Sequence, residues 1–284
     1  MEVSILCNLN RARSPFGQSV LEHFFPEHFF ESAGFSAVDE IETSEGARSI
    51  AKEWKLPSLK QISENVSNKK EKIISSDLVI LAESSMESDL RSLGFTGRSI
   101  PFDDLRIETS FIPCDPLELS LHALRLELAK VAYCSVQIMR INFKETNQNL
   151  ISTLIPESEV DTAYAFAYAI LEQRITGGII IDADFRAPTA RQHSLDLEVN
   201  FMEVENLDSI NLDRISARTI LTSAREYGNP ESILLSHTWR DFLKRVSTVM
   251  PVYLISAPRR TEEKRIADSY LCAIWSHKVT IINS

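Results

Sequence analysis

The chain has 284 residues, 44% of them hydrophobic and 25% charged, with a formal net charge of -10. That balance suits two globular α/β domains with ordinary cores and excludes a disordered chain. The surplus of acid argues against nonspecific nucleic-acid binding, which needs excess Lys and Arg to neutralise phosphates.

The apolar run Val3-Ser4-Ile5-Leu6 reads as a first strand, with no basic leader before it. It is followed by Cys7-Asn8-Leu9-Asn10-Arg11-Ala12-Arg13-Ser14-Pro15 and then by a helix, Phe16 to Phe24, with Pro15 in its first turn. A thiol at a strand end, a short loop and an arginine opening a helix suit a cysteine phosphatase. Backbone N–H groups of such a loop, here Asn8, Leu9, Asn10, Arg11, Ala12 and Ser14, converge on a phosphate, with the positive helix end behind them. That setting favours thiolate over thiol and so makes a nucleophile. Arg13 grips two phosphoryl oxygens in a planar fork that lysine cannot copy.

This segment resembles the low-molecular-weight protein tyrosine phosphatases, whose loop reads Cys-x-Gly-Asn-x-Cys-Arg-Ser-Pro; Cys7, Asn10, Arg13, Ser14 and Pro15 match. Glu31-Ser32-Ala33-Gly34 resembles the family's Ser-Ala-Gly turn. Ser76 to Ala82, followed by Met86 to Leu90, resembles its central strand and helix. In Pro113-Cys114-Asp115-Pro116, Asp115 resembles the Asp-Pro general acid, placed ahead of a long helix near 117 to 138; an aspartate before proline also reads as a helix cap. The resemblance implies that Cys7 attacks phosphorus, that Ser14 hydrogen-bonds the thiolate and that Asn10 holds the loop's shape. Three departures from the pattern stand out. Leu9 stands where the family has glycine and is expected to resist a positive φ there. Ala12 replaces the second cysteine, removing a partner for reversible disulfide formation. Leu117 and Glu118 replace an aromatic pair that walls the substrate ring.

The polar stretch 142–149 reads as the boundary between domains 1–142 and 143–284. Beyond it the order is strand 150–154, helix 162–172, strand 178–182, helices near 214–226, 238–247 and 262–275, and strands 252–255 and 279–282. Such alternation argues a parallel sheet covered by helices. Ile181-Asp182-Ala183-Asp184-Phe185-Arg186-Ala187-Pro188, with His193, resembles an element of the bacterial tyrosine kinases that control capsule and exopolysaccharide export. Asn229-Pro230-Glu231-Ser232, Phe242-Leu243 and Ile255-Ser256-Ala257-Pro258 follow in that family's order. The nucleotide loop is degenerate. Glu157-Ser158-Glu159-Val160-Asp161-Thr162 lacks glycines and lysine, Ser256 takes the place of a second aspartate, and no tyrosine-rich tail precedes Ser284.

The expected fold class is therefore α/β: two three-layer parallel-sheet domains, one like a low-molecular-weight phosphatase and one a degenerate P-loop kinase-like domain without ATP. The resemblance implies a protein tyrosine phosphatase whose partners are a phosphotyrosine protein and, through the second half, a bacterial tyrosine kinase or a second copy of the chain. Two alternatives stand beside it: a weak or inactive phosphate-binding scaffold docking on a kinase, and arsenate reduction, for which Cys114 is the only plausible resolving thiol. The four cysteines (7, 114, 134 and 272) and the six histidines, His193 and His237 among them, lack metal-ligand or disulfide spacing. No cofactor, metal or membrane span is implied, and a reducing cytoplasm is expected. The tyrosines, at 133, 164, 168, 227, 253 and 270, read as core packing.

Overall fold

The computed structural model describes residues 1–105, 109–116, 119–143, 151–190, 200–203, 219–223 and 226–283. The chain divides into two compact units, Met1–Lys144 and Glu145–Ser284. Most of the stretch 142–149 lies outside the described residues, as do His193, Leu117 and Glu118.

The first unit is built on strands β1 (Glu2–Cys7), β2 (Phe29–Gly34), β3 (Leu78–Leu81) and β4 (Arg98–Pro101), all parallel in the order β2-β1-β3-β4. Every residue of β3 is buried. Alternate side chains of a strand point to opposite faces, so both faces of this sheet are covered. The helices are α1 (Arg13–Phe24), α2 (Glu45–Glu53), α3 (Lys70–Ser75), α4 (Glu87–Leu93) and α5 (Leu121–Phe143). Helices α1 and α5 approach closely at Gly17, where a Cβ would lie 3.1 Å from Ser135 Oγ, and Phe16 packs edge-on to Trp54 at 5.6 Å. The long helix begins later than the sequence suggests. Pro116 disfavours helical backbone at Asp115, so 113–116 are non-helical, and the hydroxyl of Ser120 accepts the Ala123 N–H at 3.3 Å in the capping role expected of Asp115.

The second unit contains β5 (Ile151–Pro156), α6 (Glu159–Thr176), β6 (Ile179–Asp182), β7 (Asn200–Glu203), β8 (Thr219–Thr222), α7 (Glu231–Leu234), α8 (His237–Ser247), β9 (Val252–Ile255), α9 (Glu263–Ala273) and β10 (Lys278–Ile282). Its six strands are parallel, in the order β10-β5-β9-β6-β8-β7, and β6 and β9 are buried throughout. The helix expected near 214–226 is contradicted at its centre, where residues 219–222 form β8. Three of those four residues are β-branched, and pairing with β6 and β7 outweighs the helical reading. The tyrosines also divide. Tyr133, Tyr253 and Tyr270 are buried, but Tyr164 is 54% exposed on α6, against the core placement expected.

Charge is buried at the carboxyl ends of this second sheet. Asp182 Oδ2 accepts the Thr189 and Ala190 N–H groups at 2.8 Å each, Arg186 bridges Asp268 at 2.6 Å and Glu231 at 2.7 Å, and Arg265 meets Asp184 at 2.5 Å. Burial pushes the Asp182 carboxyl up to about 7 from its ordinary 3.8. The folded unit therefore holds a proton that the unfolded chain releases. This contribution is fully present below pH 3.8 and is lost as pH rises through about 7. Asp182→Asn is expected to flatten that slope in urea melts run across the window. Asp182→Ala strands two buried donors and is expected to destabilise the unit by about 2–4 kcal/mol in the same melts.

Candidate active site

Strand β1 ends at Cys7, which lies opposite Gly34 in β2, while Leu6 lies opposite Leu81 in β3. The thiol thus sits at the carboxyl edge of a parallel sheet, where such folds open their crevices. The loop from Cys7 to Arg13 is fastened on several sides. Its carbonyls at Cys7 and Asn8 accept the Phe35 and Ser36 N–H groups at 3.1 and 2.8 Å, and the Arg11 carbonyl accepts that of Ser44 at 2.7 Å. The positive φ expected to trouble Leu9 falls instead on Asn10, at 52°. Asparagine tolerates the left-handed region far better than leucine, so the missing glycine imposes no such strain at position 9.

Asn10 is the organising residue of the loop. Its side-chain Nδ2 donates to Ser14 Oγ at 2.8 Å, its Oδ1 accepts the Glu64 N–H at 2.9 Å, and its own N–H points at Cys7 Sγ at 3.2 Å. Ser14 Oγ lies 2.9 Å from the same sulfur. Two polar hydrogens can therefore face Sγ, an arrangement that stabilises negative charge on it. Cys7 and Arg13 are both buried.

The guanidinium of Arg13 spans the site. Nη1 donates to Glu83 Oε1 at 2.6 Å and Nη2 to Asp115 Oδ2 at 3.2 Å; the Arg13 side chain is 3% exposed and that of Asp115 46%. A small pocket is lined by Cys7, Leu9, Arg11, Ala12, Arg13, Asp115 and Pro116. It unites the three sequence-selected residues Cys7, Arg13 and Asp115 across about a hundred positions of chain. Arg11 also reaches outward, its Nε donating to the Glu42 carbonyl at 3.3 Å. Asn8 is exposed at the loop's start. Cys114 is exposed and is not among the residues lining this pocket.

Sequence reading missed Glu83, which follows β3 and fixes one arm of Arg13. The signal available was positional: the residue just past a central parallel strand faces the same crevice as the end of its neighbour. It also missed the ionic support behind the loop. Glu64, which holds Asn10 through its backbone, pairs with Lys60 at 2.8 Å and Lys69 at 3.1 Å, and Lys69 bridges on to Glu31 at 2.9 Å. Burial works against the Glu64 carboxylate, but hydrogen bonds from Lys60 and Lys69 prevail and hold it below its ordinary 4.5.

In the second unit, the stretch expected from the sequence to be a degenerate nucleotide loop, 157–162, lies at the start of α6. There the Asp161 carboxylate accepts both the Ser158 N–H at 2.9 Å and the Ser158 hydroxyl at 2.5 Å. Glu157 pairs with Arg260 at 3.1 Å and Arg259 at 3.7 Å. Ser158 and Asp161 thus form a capping box at the start of this helix. Among the described residues, no group of His, Cys, Asp and Glu is arranged to hold a metal ion, and no helix is long and apolar enough to cross a membrane.

No protein-family model matches the chain, and no curated protein matches it. Solved structures do show similarity over about half of it. The tyrosine phosphatase AmsI of Erwinia amylovora is 19% identical over 49% of this chain and 91% of its own, with a TM-score of 0.44. The tyrosine phosphatase Wzb of Escherichia coli K30, in complex with sulphate, is 21% identical over 50% and 97%, at 0.42. The YwlE arginine phosphatase of Geobacillus stearothermophilus is 18% identical over 52% and 96%, also at 0.42.

Proposed function

We propose that the first unit is a phosphatase of the low-molecular-weight tyrosine type, working through a phosphocysteine. The observation that carries this reading is the convergence of the Cys7 sulfur, the Arg13 fork and the Asp115 carboxylate on one pocket, with Asn10 N–H and Ser14 Oγ set against the sulfur. The Cys7 thiolate attacks phosphorus while the bond to the phenolic oxygen breaks, and Asp115 gives that oxygen its proton. Arg13 and the loop amides carry the equatorial oxygens. Water then attacks phosphorus, Asp115 takes back a proton, the S–P bond breaks and phosphate leaves. The regenerated thiolate accepts a hydrogen bond from the Ser14 hydroxyl. Asp115 is half exposed, so it can release Arg13 as an anion enters and turn toward the leaving group.

The test is release of p-nitrophenol from p-nitrophenyl phosphate in a chelator, with phosphate trapped on Cys7 as an acid-labile, alkali-stable adduct and located by mass spectrometry. No turnover and no trapped phosphate would overturn the reading. Asp115→Asn is expected to cut kcat on a phosphotyrosine peptide about a hundredfold. The loss should be much smaller on p-nitrophenyl phosphate, whose leaving group departs without a proton. Equal losses on both would remove Asp115 from the role of acid.

The second unit fits a kinase-like module that takes no nucleotide, because Glu159 and Asp161 place two carboxylates in the first turn of α6, where they would repel ATP phosphates. Its role is recognition of a tyrosine kinase or of another chain of its own kind. A rise in melting temperature of the full chain with Mg-ATP would overturn the nucleotide-free reading.

A further inference from the structure

Helix α6 is apolar on both faces. Thr162, Ala165, Phe166, Ala169 and Gln173 are buried against the second unit's sheet. The opposite face carries Val160, Tyr164, Leu171 and Ile175 at 70, 54, 59 and 80% exposure, with exposed Ala163 and Ala167 between them and half-buried Tyr168 at the margin. At 100° per residue these positions share one stripe. From 160 to 171 the helix has a single charged residue, Asp161, and that one is buried as the cap. A solvated helix face ordinarily carries charge, whereas one apolar all round is a buried helix.

We infer that this face of α6 is a self-association surface, on which a second copy of the chain packs its own α6 antiparallel across a two-fold axis. The stripe is self-complementary in that sense alone. Antiparallel pairing sets Val160 of one copy against Ile175 of the other and Tyr164 against Leu171, with the small Ala167 at the axis, where the backbones come closest. It also lays the helix dipoles head to tail, with Arg174 near one end of the stripe approaching the start of the partner helix, where the half-exposed Glu159 lies beside its own Arg265. The exposed side chains offer on the order of 500 Å² per copy, so a pair that covers the stripe fully buries at most about 1,000 Å² through them, the lower bound for a specific interface. A membrane surface is the poorer occupant, since the chain carries -10 overall and anionic lipid would repel it.

The experiment is sedimentation equilibrium on the full chain at tens of micromolar. The expected mass is twice 32.1 kDa, with Leu171→Glu raising the dissociation constant about a hundredfold or more while far-UV circular dichroism stays unchanged. A second measurement avoids the added charge. In a Cys114→Ser background, a chain bearing both Val160→Cys and Ile175→Cys is expected to give a covalent dimer on mild oxidation. Within one helix the two positions stand about 22 Å apart and cannot bridge. Either cysteine alone should give little. A monomeric wild type, a dimer indifferent to Leu171→Glu, or equal cross-linking by a single cysteine would each overturn the assignment.

Discussion

Cys7→Ser is expected to lower kcat/KM on any aryl phosphate by at least about 10⁴-fold, a loss of about 5.5 kcal/mol in transition-state stabilisation, with the fold retained. A hydroxyl at that place is protonated at neutral pH, and the pocket brings it no base. Asn10 N–H and Ser14 Oγ are placed to steady charge on the sulfur, not to remove a proton from oxygen. Asp115 is held on Arg13 Nη2 and, in the proposed reaction, begins as an acid. Binding should survive, because Arg13 and the loop are untouched. The variant is expected to hold phosphate or vanadate about as well as the wild type, seen as a similar rise in melting temperature. Initial rates and thermal shifts on the same two preparations decide the matter. Turnover that persists in Cys7→Ser would place the nucleophile elsewhere, and lost anion binding would show that the sulfur shapes the loop.

What could be read from the sequence was what lies close together in it. The strand, thiol, loop, arginine and helix of 3–24 form one continuous run, and each part limits its neighbours. Asp115 was legible only because Asp-Pro is a short pattern of its own, and the helix start assigned beside it was wrong by several residues. Contacts made across the chain left no local mark. Glu83 reaches Arg13 over 70 positions, and Glu64 reaches Asn10 over 54. Leu9 shows the opposite fault: the motif letter was read as a torsion, whereas the structure moves the positive φ one residue along to Asn10. In the second unit Thr219-Ile220-Leu221-Thr222 is too short to show a period, and its strand character comes from the partners β6 and β7. Tyr164 could not be placed because α6 is apolar on every side, so its sequence does not say which face meets the sheet.

Gly34→Ala should be nearly as damaging to activity, although Gly34 touches no substrate. A Cβ there would stand 2.6 Å from the Asn8 carbonyl oxygen, 2.7 Å from the Asn10 nitrogen and 2.9 Å from the Leu9 carbonyl carbon. All three are backbone atoms of the loop from Cys7 to Arg13, so no side chain can swing aside to make room. Nor can β2 retreat easily, since the Gly34 N–H is bonded to the Glu64 carbonyl at 2.9 Å and the next two residues are bonded to the loop itself. The loop must therefore shift, taking with it the Asn10 N–H that faces the sulfur. Misplacing one anion-stabilising donor costs about 10²–10³ in rate, and here several move together, so a loss of about 10³ in kcat is expected. Overpacking of this kind should also cost about 1–3 kcal/mol of stability, measured by urea unfolding. Gly228→Ala is the matched control: nothing lies within 4 Å of the added carbon, and both quantities should stay within error. If Gly34→Ala kept full activity, the loop would have to be far more pliable than its hydrogen bonds allow, and the preformed anion cup at the centre of the proposed mechanism would be lost.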